Sequence, residues 1–268
     1  MQYKQQIISG GNKLFYAWFE AMHTRVDVAI LTTVDTDGLP EFIQSLQNEI
    51  MKYEQIANRF NPKSEISYVN ENAFEKEVEL SPDLYHLLDD CKFYKKKTKG
   101  YFDISVYSSS GFKSDDKVFL LNKEKQTIRF THSGVLLDLS GFLKGFVLNK
   151  LIQIADKEGF DNLIINLGNS SVYAKGNHPH GTGWKIKLPD ESSEIVLQNE
   201  CLTTSGNSDT TKWPVMNPKN GRIEKDKKSV SVITKDAAHG EVLAKVAYLA
   251  SVTERENIFQ IFEAQYVN

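Results

Sequence analysis

A single α+β domain is the fold predicted by the sequence, and three observations carry it. Helical and strand periodicities alternate along the chain without the regular strand–helix–strand repeat of a doubly wound sheet. Short strand-like runs separated by Gly, Asn and Pro turns dominate the second half. No repeat, low-complexity linker or shift of composition divides the 268 residues, which suffice to bury a full core.

Residues 25–31 alternate, with Val26, Val28 and Ile30 on one face, and Asp37-Gly38 turns the chain towards Pro40 and a helix. Phe42, Leu46, Ile50, Tyr53 and Ile56 recur at spacings of three and four, so this helix buries one side. Ser81-Pro82, a capping serine before a proline at the first helical position, opens a second helix. It turns Leu84, Leu87, Leu88 and Cys91 inward and ends by Gly100. Residues 117–122 and 127–130 pattern as a hairpin leading into an apolar strand at Val135, Leu136 and Leu137. The helix after Gly145 runs through Val147, Leu151 and Ile154 to Gly159. Short strands then follow at 162–167, 171–174, 184–188, 195–197, 201–204 and 229–234. A final helix over about 237–251 closes the core through Val242, Val246 and Leu249.

Composition narrows the function classes. A net charge of −3 and a pI near 6.1 argue against general nucleic-acid binding, and Lys95-Lys96-Lys97 reads as a solvated helix end. Cys91 and Cys201 supply no disulfide framework and suit a reducing compartment. The start, MQYKQQIISGGNKLFYAWFEAM, lacks the apolar stretch of a signal peptide, and no segment approaches a membrane span, so a cytoplasmic location is expected. The six histidines show no zinc spacing, His178 and His180 fall in a Pro-Gly loop, and no nucleophile elbow appears.

The chemically suggestive stretch is VLLDLSGFLKG, residues 135–145. An apolar run meets Asp138, then Ser140-Gly141 opens into a helix with Lys144 in its first turn. A helix start offers unpaired N–H groups and a positive dipole end, which suits phosphate. The bland alternative makes Asp138 an ordinary cap and Lys144 solvated surface.

Taken in order, the motifs resemble those of the ApbE family of FAD:protein FMN transferases, from about residue 19 to the end. FEAMHTRVDVAI resembles the family's Ala-Met-Gly-Thr strand, with His23 for the glycine. RFNPKSEISYVN resembles its Ser-Glu-hydrophobic-Ser segment, GYFDISV its Gly-Ala-Phe-Asp motif and LDLSGFLKGF its Leu-Asp-Leu-Gly-Gly-Ile-Ala-Lys-Gly motif. NLIINLGNSSVYAKG and HPHGTGWKIKL resemble its paired strands and CLTTSGN its Thr-Ser-Gly segment. WPVMNPKNGR resembles the His-Ile-Ile-Asp-Pro-x-Thr-Gly loop, and SVSVITKDAAHGEVLAKVAYLAS the closing strand and helix. The resemblance implies an ApbE-like, T-fold-related domain over residues 19–268 behind a 1–18 extension. Mixed sheets, flanking helices and a flavin cleft between an early helical half and a later strand-rich half are implied too. It implies transfer of FMN from FAD to a Thr or Ser of an acceptor protein, with Mg2+. FAD contacts fall to Met22, Phe60, Tyr101, Phe102, Asp103, Asp138, Lys144 and the backbone at Met216, and metal ligands to the Gly141 carbonyl and Glu241.

The departures cluster on the metal side. Glu241 stands for an aspartate and Lys245 for a threonine ligand, and an ammonium, being donor-only, cannot coordinate Mg2+. Lys245 either takes over part of the metal's charge or forms a surface i,i+4 pair with Glu241. Pro214, Asn217 and Asn220 replace the loop's histidine, aspartate and threonine, and the segment between Ser105 and Lys117 is short for the family. Met22 and Phe60 read equally as core residues, and Asp103 as a turn cap. A flavin-binding protein without transferase activity, and an interaction or structural protein that has lost the ligand, stay open beside the transferase.

Overall fold

Alternation along two adjacent strands builds the centre of the molecule. The computed structural model describes residues 1–8, 11–33, 35–109, 117–188, 193–206, 215–224 and 229–267. In chain order the elements are β1 (Gln2–Ile7), β2 (Lys13–Ala21), β3 (Thr24–Thr32), α1 (Leu39–Ala57), α2 (Glu65–Asn72), β4 (Val78–Glu79) and α3 (Pro82–Lys97). There follow β5 (Phe119–Asn122), β6 (Thr127–Phe130), α4 (Leu143–Lys157), β7 (Asn162–Leu167), β8 (Ser171–Lys175), β9 (Trp184–Lys187) and β10 (Glu194–Leu197). The last are β11 (Glu200–Gly206), β12 (Met216–Asn217), β13 (Arg222–Ile223), β14 (Ser229–Thr234), α5 (Ala237–Leu249), α6 (Val252–Phe262) and β15 (Gln265–Val267).

Eight strands form the main sheet in the order β1-β2-β3-β7-β8-β11-β14-β15. Neighbours in it pair antiparallel, so the mixed sheets implied by the resemblance are antiparallel ladders among the described strands. Phe15, Ala17 and Phe19 of β2 and Val26, Val28 and Ile30 of β3 point to one face, where α1 and α4 cover them. On the other face the β9–β10 hairpin packs Trp184 and Leu197 against Val172, Ala174 and Leu202. The helix starts follow their caps: the Ser81 hydroxyl accepts the Leu84 N–H and the Asp236 carboxylate accepts the His239 N–H.

Two expectations change, at the last helix and at residues 135–137, and the first residues are seen to pair with the sheet. The final helix ends at Leu249, and Ser251 caps a further helix, α6. Residues 1–18 supply β1 and much of β2, paired in register with the sheet. Val135, Leu136 and Leu137 do not join a strand. Instead the Asn70 side chain receives the Leu137 N–H at 2.9 Å and donates to its carbonyl at 3.0 Å, and Ser108 Oγ receives the Leu136 N–H at 3.0 Å. Side chains therefore satisfy a buried backbone that a sheet would otherwise pair.

Candidate functional site

A cleft of about 840 Å³ opens beside the sheet. Every residue assigned above to FAD or metal lines it: Met22, Phe60, Tyr101, Phe102, Asp103, Asp138, Gly141, Lys144, Met216, Glu241 and Lys245. A depression of about 480 Å³ around Tyr16, Arg25, Asp27 and Asn166 shares none of these residues.

One wall is built around two carboxylates. Asp138 is fixed by its N–H donating to the Ile104 carbonyl at 2.7 Å, and its Oδ1 accepts the Ser140 N–H at 2.9 Å. It therefore caps the 138–141 turn; α4 itself begins after Phe142 without a side-chain cap. Oδ2 receives Arg59 Nε at 2.6 Å, and the Arg59 guanidinium lies 4.1 Å over the half-exposed Phe60 ring. Phe60 is thus a platform for a cation and not core. Asp103, buried, does cap a turn, since Oδ1 accepts the Ser105 N–H at 2.9 Å and hydroxyl at 2.5 Å. Its Oδ2 also meets Lys95 Nζ at 2.8 Å, which ties the first lysine of the Lys95–Lys97 run to the cleft. The Phe102 ring is buried against Tyr94 and Phe142. The Tyr101 hydroxyl donates to Glu254 Oε2 at 2.7 Å, with Lys219 Nζ 4.1 Å over the ring. Hydrogen bonds from Tyr101 and Ser251 bring the Glu254 carboxyl down to about 2.

The facing wall carries amines. Lys144, on the first turn of α4, donates to the Ser170 hydroxyl and is half-buried, so it is not solvated surface. Glu241 is buried and its Oε1 accepts the Ser171 hydroxyl at 2.5 Å. Lys245 Nζ stands 3.6 Å from Glu241 Oε2 and donates to the Glu241 carbonyl at 3.1 Å. The burial of Glu241 overturns the reading of these two as a surface pair. A Cβ placed on Gly141 would lie 2.7 Å from Lys245 Cε and 3.3 Å from Nζ, so the lysine stem lies along the glycine turn. Burial draws the Lys245 ammonium below the ordinary lysine range; Glu241 opposes this and the Lys144 charge adds to it.

Two turns complete the rim. Met22 and His23 join β2 to β3 with φ of 51° and 55°, the positive-φ pair of a tight hairpin, in residues that bear a Cβ. Asn217 Oδ1 accepts the Lys219 N–H at 3.0 Å, a turn role that an aspartate would fill equally. Pro214 lies outside the described residues, as does most of the segment between Ser105 and Lys117.

This donor set does not fit Mg2+. The ion demands near-octahedral oxygen ligation, whereas Glu241 already accepts a hydroxyl and faces an ammonium, and a lysine stem, which offers no oxygen, packs against the Cβ side of Gly141. Among the described residues no three His, Cys, Asp or Glu gather as ligands. The sequence reading gave no role to Arg59, Ser170, Ser171 or Lys95. Arg59 and Lys95 lie inside quoted segments, but nothing local in the sequence pairs Arg59 with a carboxylate 79 positions away.

Fold and cleft together define an α+β protein whose cleft sets Arg59, Lys144 and Lys245 beside Asp103, Asp138 and Glu241. The chain belongs to the ApbE family, whose sequence profile matches residues 22–266. It is similar to the FAD:protein FMN transferase of Chlamydia trachomatis serovar D, 27% identical over 242 residues that cover 76% of each chain. A second similar protein, the FAD:protein FMN transferase of Haemophilus influenzae, is 25% identical over 181 residues, 55% of this chain and 52% of that one. The solved flavin transferase ApbE from Vibrio cholerae superposes with a TM-score of 0.79 at 14% identity, over 99% of this chain and 93% of that one. The apo flavinyl transferase ApbE from Pseudomonas stutzeri gives 0.79 at 13% identity, over 96% and 93%. At these identities the two structures show a shared fold.

Proposed function

We propose that the protein is an FAD:protein FMN transferase, acting on a Thr or Ser hydroxyl of an acceptor protein. The observation that carries this reading is the convergence of Met22, Asp103, Asp138, Lys144 and Glu241 on one cleft from distant parts of the chain. In the reaction the acceptor hydroxyl oxygen bonds to the FMN phosphorus of FAD. The bridging P–O bond breaks, AMP leaves with the bridging oxygen, and the hydroxyl proton passes to solvent. Catalysis of such a transfer is largely positioning and stabilisation of phosphoryl charge. Lys144 is the amine we assign to that, while Asp138 pairs with Arg59 and holds it over the Phe60 platform. Met22 and Phe60 supply apolar contact for a flavin, Tyr101, Phe102 and Met216 line the cleft beside them, and Asp103 takes the flavin contact its motif implies.

The reading includes a cytoplasmic location, supported by two buried free cysteines and by the lack of any described helix long and apolar enough to cross a membrane. A second reading, flavin binding without transfer, is favoured by the poor fit of the site to Mg2+. Mass spectrometry separates the two. Incubation with FAD and a threonine-bearing acceptor peptide should add the mass of an FMN adduct; bound FAD with no adduct on an authentic acceptor selects the second reading.

A further inference from the structure

We infer that Lys245 is a built-in cation that takes the place of a divalent metal at the pyrophosphate of FAD, so that the ligand is bound without Mg2+. The inference rests on the flavin reading of the cleft and specifies which of its groups neutralises the ligand.

Three observations support it. First, placement: the Lys245 stem lies along Gly141, the backbone corner where the family resemblance puts a metal ligand, with Nζ 3.3 Å from a Cβ position on that glycine. Second, an imperfect charge match: the carboxylate nearest to Lys245 stands at 3.6 Å and spends its other oxygen on the Ser171 hydroxyl, so Glu241 holds the ammonium without saturating it. Third, two like charges share this wall. Lys144 is hydrogen-bonded to a neutral hydroxyl, and its field reaches Lys245. Two ammonium groups on one partly buried wall repel each other, and a dianionic pyrophosphate beside them relieves that repulsion. A divalent ion at Glu241 would have to bind beside the Lys245 ammonium and compete with it for the carboxylate.

In the transfer step the fixed amines replace only electrostatics, and the bonds made and broken stay as described above.

Calorimetry on the whole protein tests this. Wild type should bind FAD with dissociation constants agreeing within about twofold in EDTA and in excess Mg2+, and Mg2+ alone should give no binding heat. Lys245→Met should weaken FAD by about tenfold or more in EDTA, while Lys245→Arg, which keeps the charge, should retain most of the affinity. A Glu241→Asp, Lys245→Thr double variant should acquire measurable Mg2+ binding and tighter FAD binding in its presence. Thermal melts of each variant establish folding, and the wild-type arms decide the matter even if Lys245→Met does not fold. Wild-type affinity for FAD that rises about tenfold with Mg2+ overturns the inference and leaves the transferase reading standing. So does unweakened FAD binding by folded Lys245→Met. Absence of FAD binding by wild type in both conditions overturns both.

Discussion

The two walls of the cleft handle charge in opposite ways. On the wall of Asp103 and Asp138 each carboxylate has a cation within 2.8 Å and backbone N–H donors besides. On the wall of α4 and α5, Lys144 rests on a neutral hydroxyl, and Lys245 stands 3.6 Å from its carboxylate. The first wall is complete as folded; the second is completed by an anion. Charge that is satisfied internally supports the fold, and charge left in excess is available to a ligand.

That contrast is breakable by substitution. The largest effect belongs to Asp138→Ala, which strands the mostly enclosed Arg59 guanidinium and should cost about 3 kcal/mol in urea denaturation. Lys144→Ala, from the other wall, removes a hydrogen bond to a neutral hydroxyl and should cost about 1 kcal/mol or less while weakening FAD. Equal stability losses from the two would erase the distinction. Next comes Asn70→Ala, which removes both hydrogen bonds to Leu137 and should destabilise by about 2 kcal/mol. Its FAD affinity should fall as well, because the segment it holds delivers Asp138. His23→Gly should do the reverse: relieving a positive φ of 55° at a residue with a Cβ should stabilise by about 1 kcal/mol, seen as a raised urea midpoint. A loss of stability there would show that the imidazole makes contacts outweighing the backbone strain.

The smallest effect is at the rim. The folded-state pKa of Glu254, about 2, lies below its ordinary 4.5, so its contribution is present above about pH 4.5 and fades as pH falls towards 2. The carboxylate is exposed, so the contribution is small and weakened by salt. Glu254→Gln should therefore be slightly less stable than wild type at neutral pH and converge with it in acid. A difference between the two melting curves that persists at pH 2 would remove Glu254 ionisation as its source.

Much of the framework was legible because its signals are local. Val26, Val28 and Ile30 alternate cleanly, and Asn162–Leu167 and Ser229–Thr234 fall where alternation and turn residues put them. Strand β2 was not read, because Tyr16 and Trp18 on the open face mask the alternation of Phe15, Ala17 and Phe19 beneath. Helix α6 carries a Ser251-x-x-Glu254 start, with Ser251 donating to the Glu254 carboxylate at 2.8 Å, yet the apolar run after it is thin. The apolar run at Val135 was over-read, since burial of a backbone does not say whether a strand or an asparagine will satisfy it. At the site, ordered motifs carried the ligand-facing residues. Arg59 and Lys95, which neutralise those residues, depend on contacts that only the tertiary fold creates.

One contact between helices sets how this site moves. A Cβ on Gly145 would come 2.2 Å from the Ala237 carbonyl oxygen, so α4 and α5 meet backbone to backbone at the level of the cleft. Asn149 of α4 also donates to the Asp236 carboxylate at 2.9 Å and accepts the Ala237 N–H at 2.9 Å, fastening the start of α5. Opening of α4 would release the Asn149 tie to the cap of α5, and opening of either helix would break their close contact. In native-state hydrogen exchange the amides of Leu143–Lys157 and Ala237–Leu249 should therefore open as one cooperative unit, with a common opening free energy and a common denaturant slope; separate slopes for the two helices would show that they open independently. Lys144 and Lys245, one on each helix, are thereby carried on a shared support.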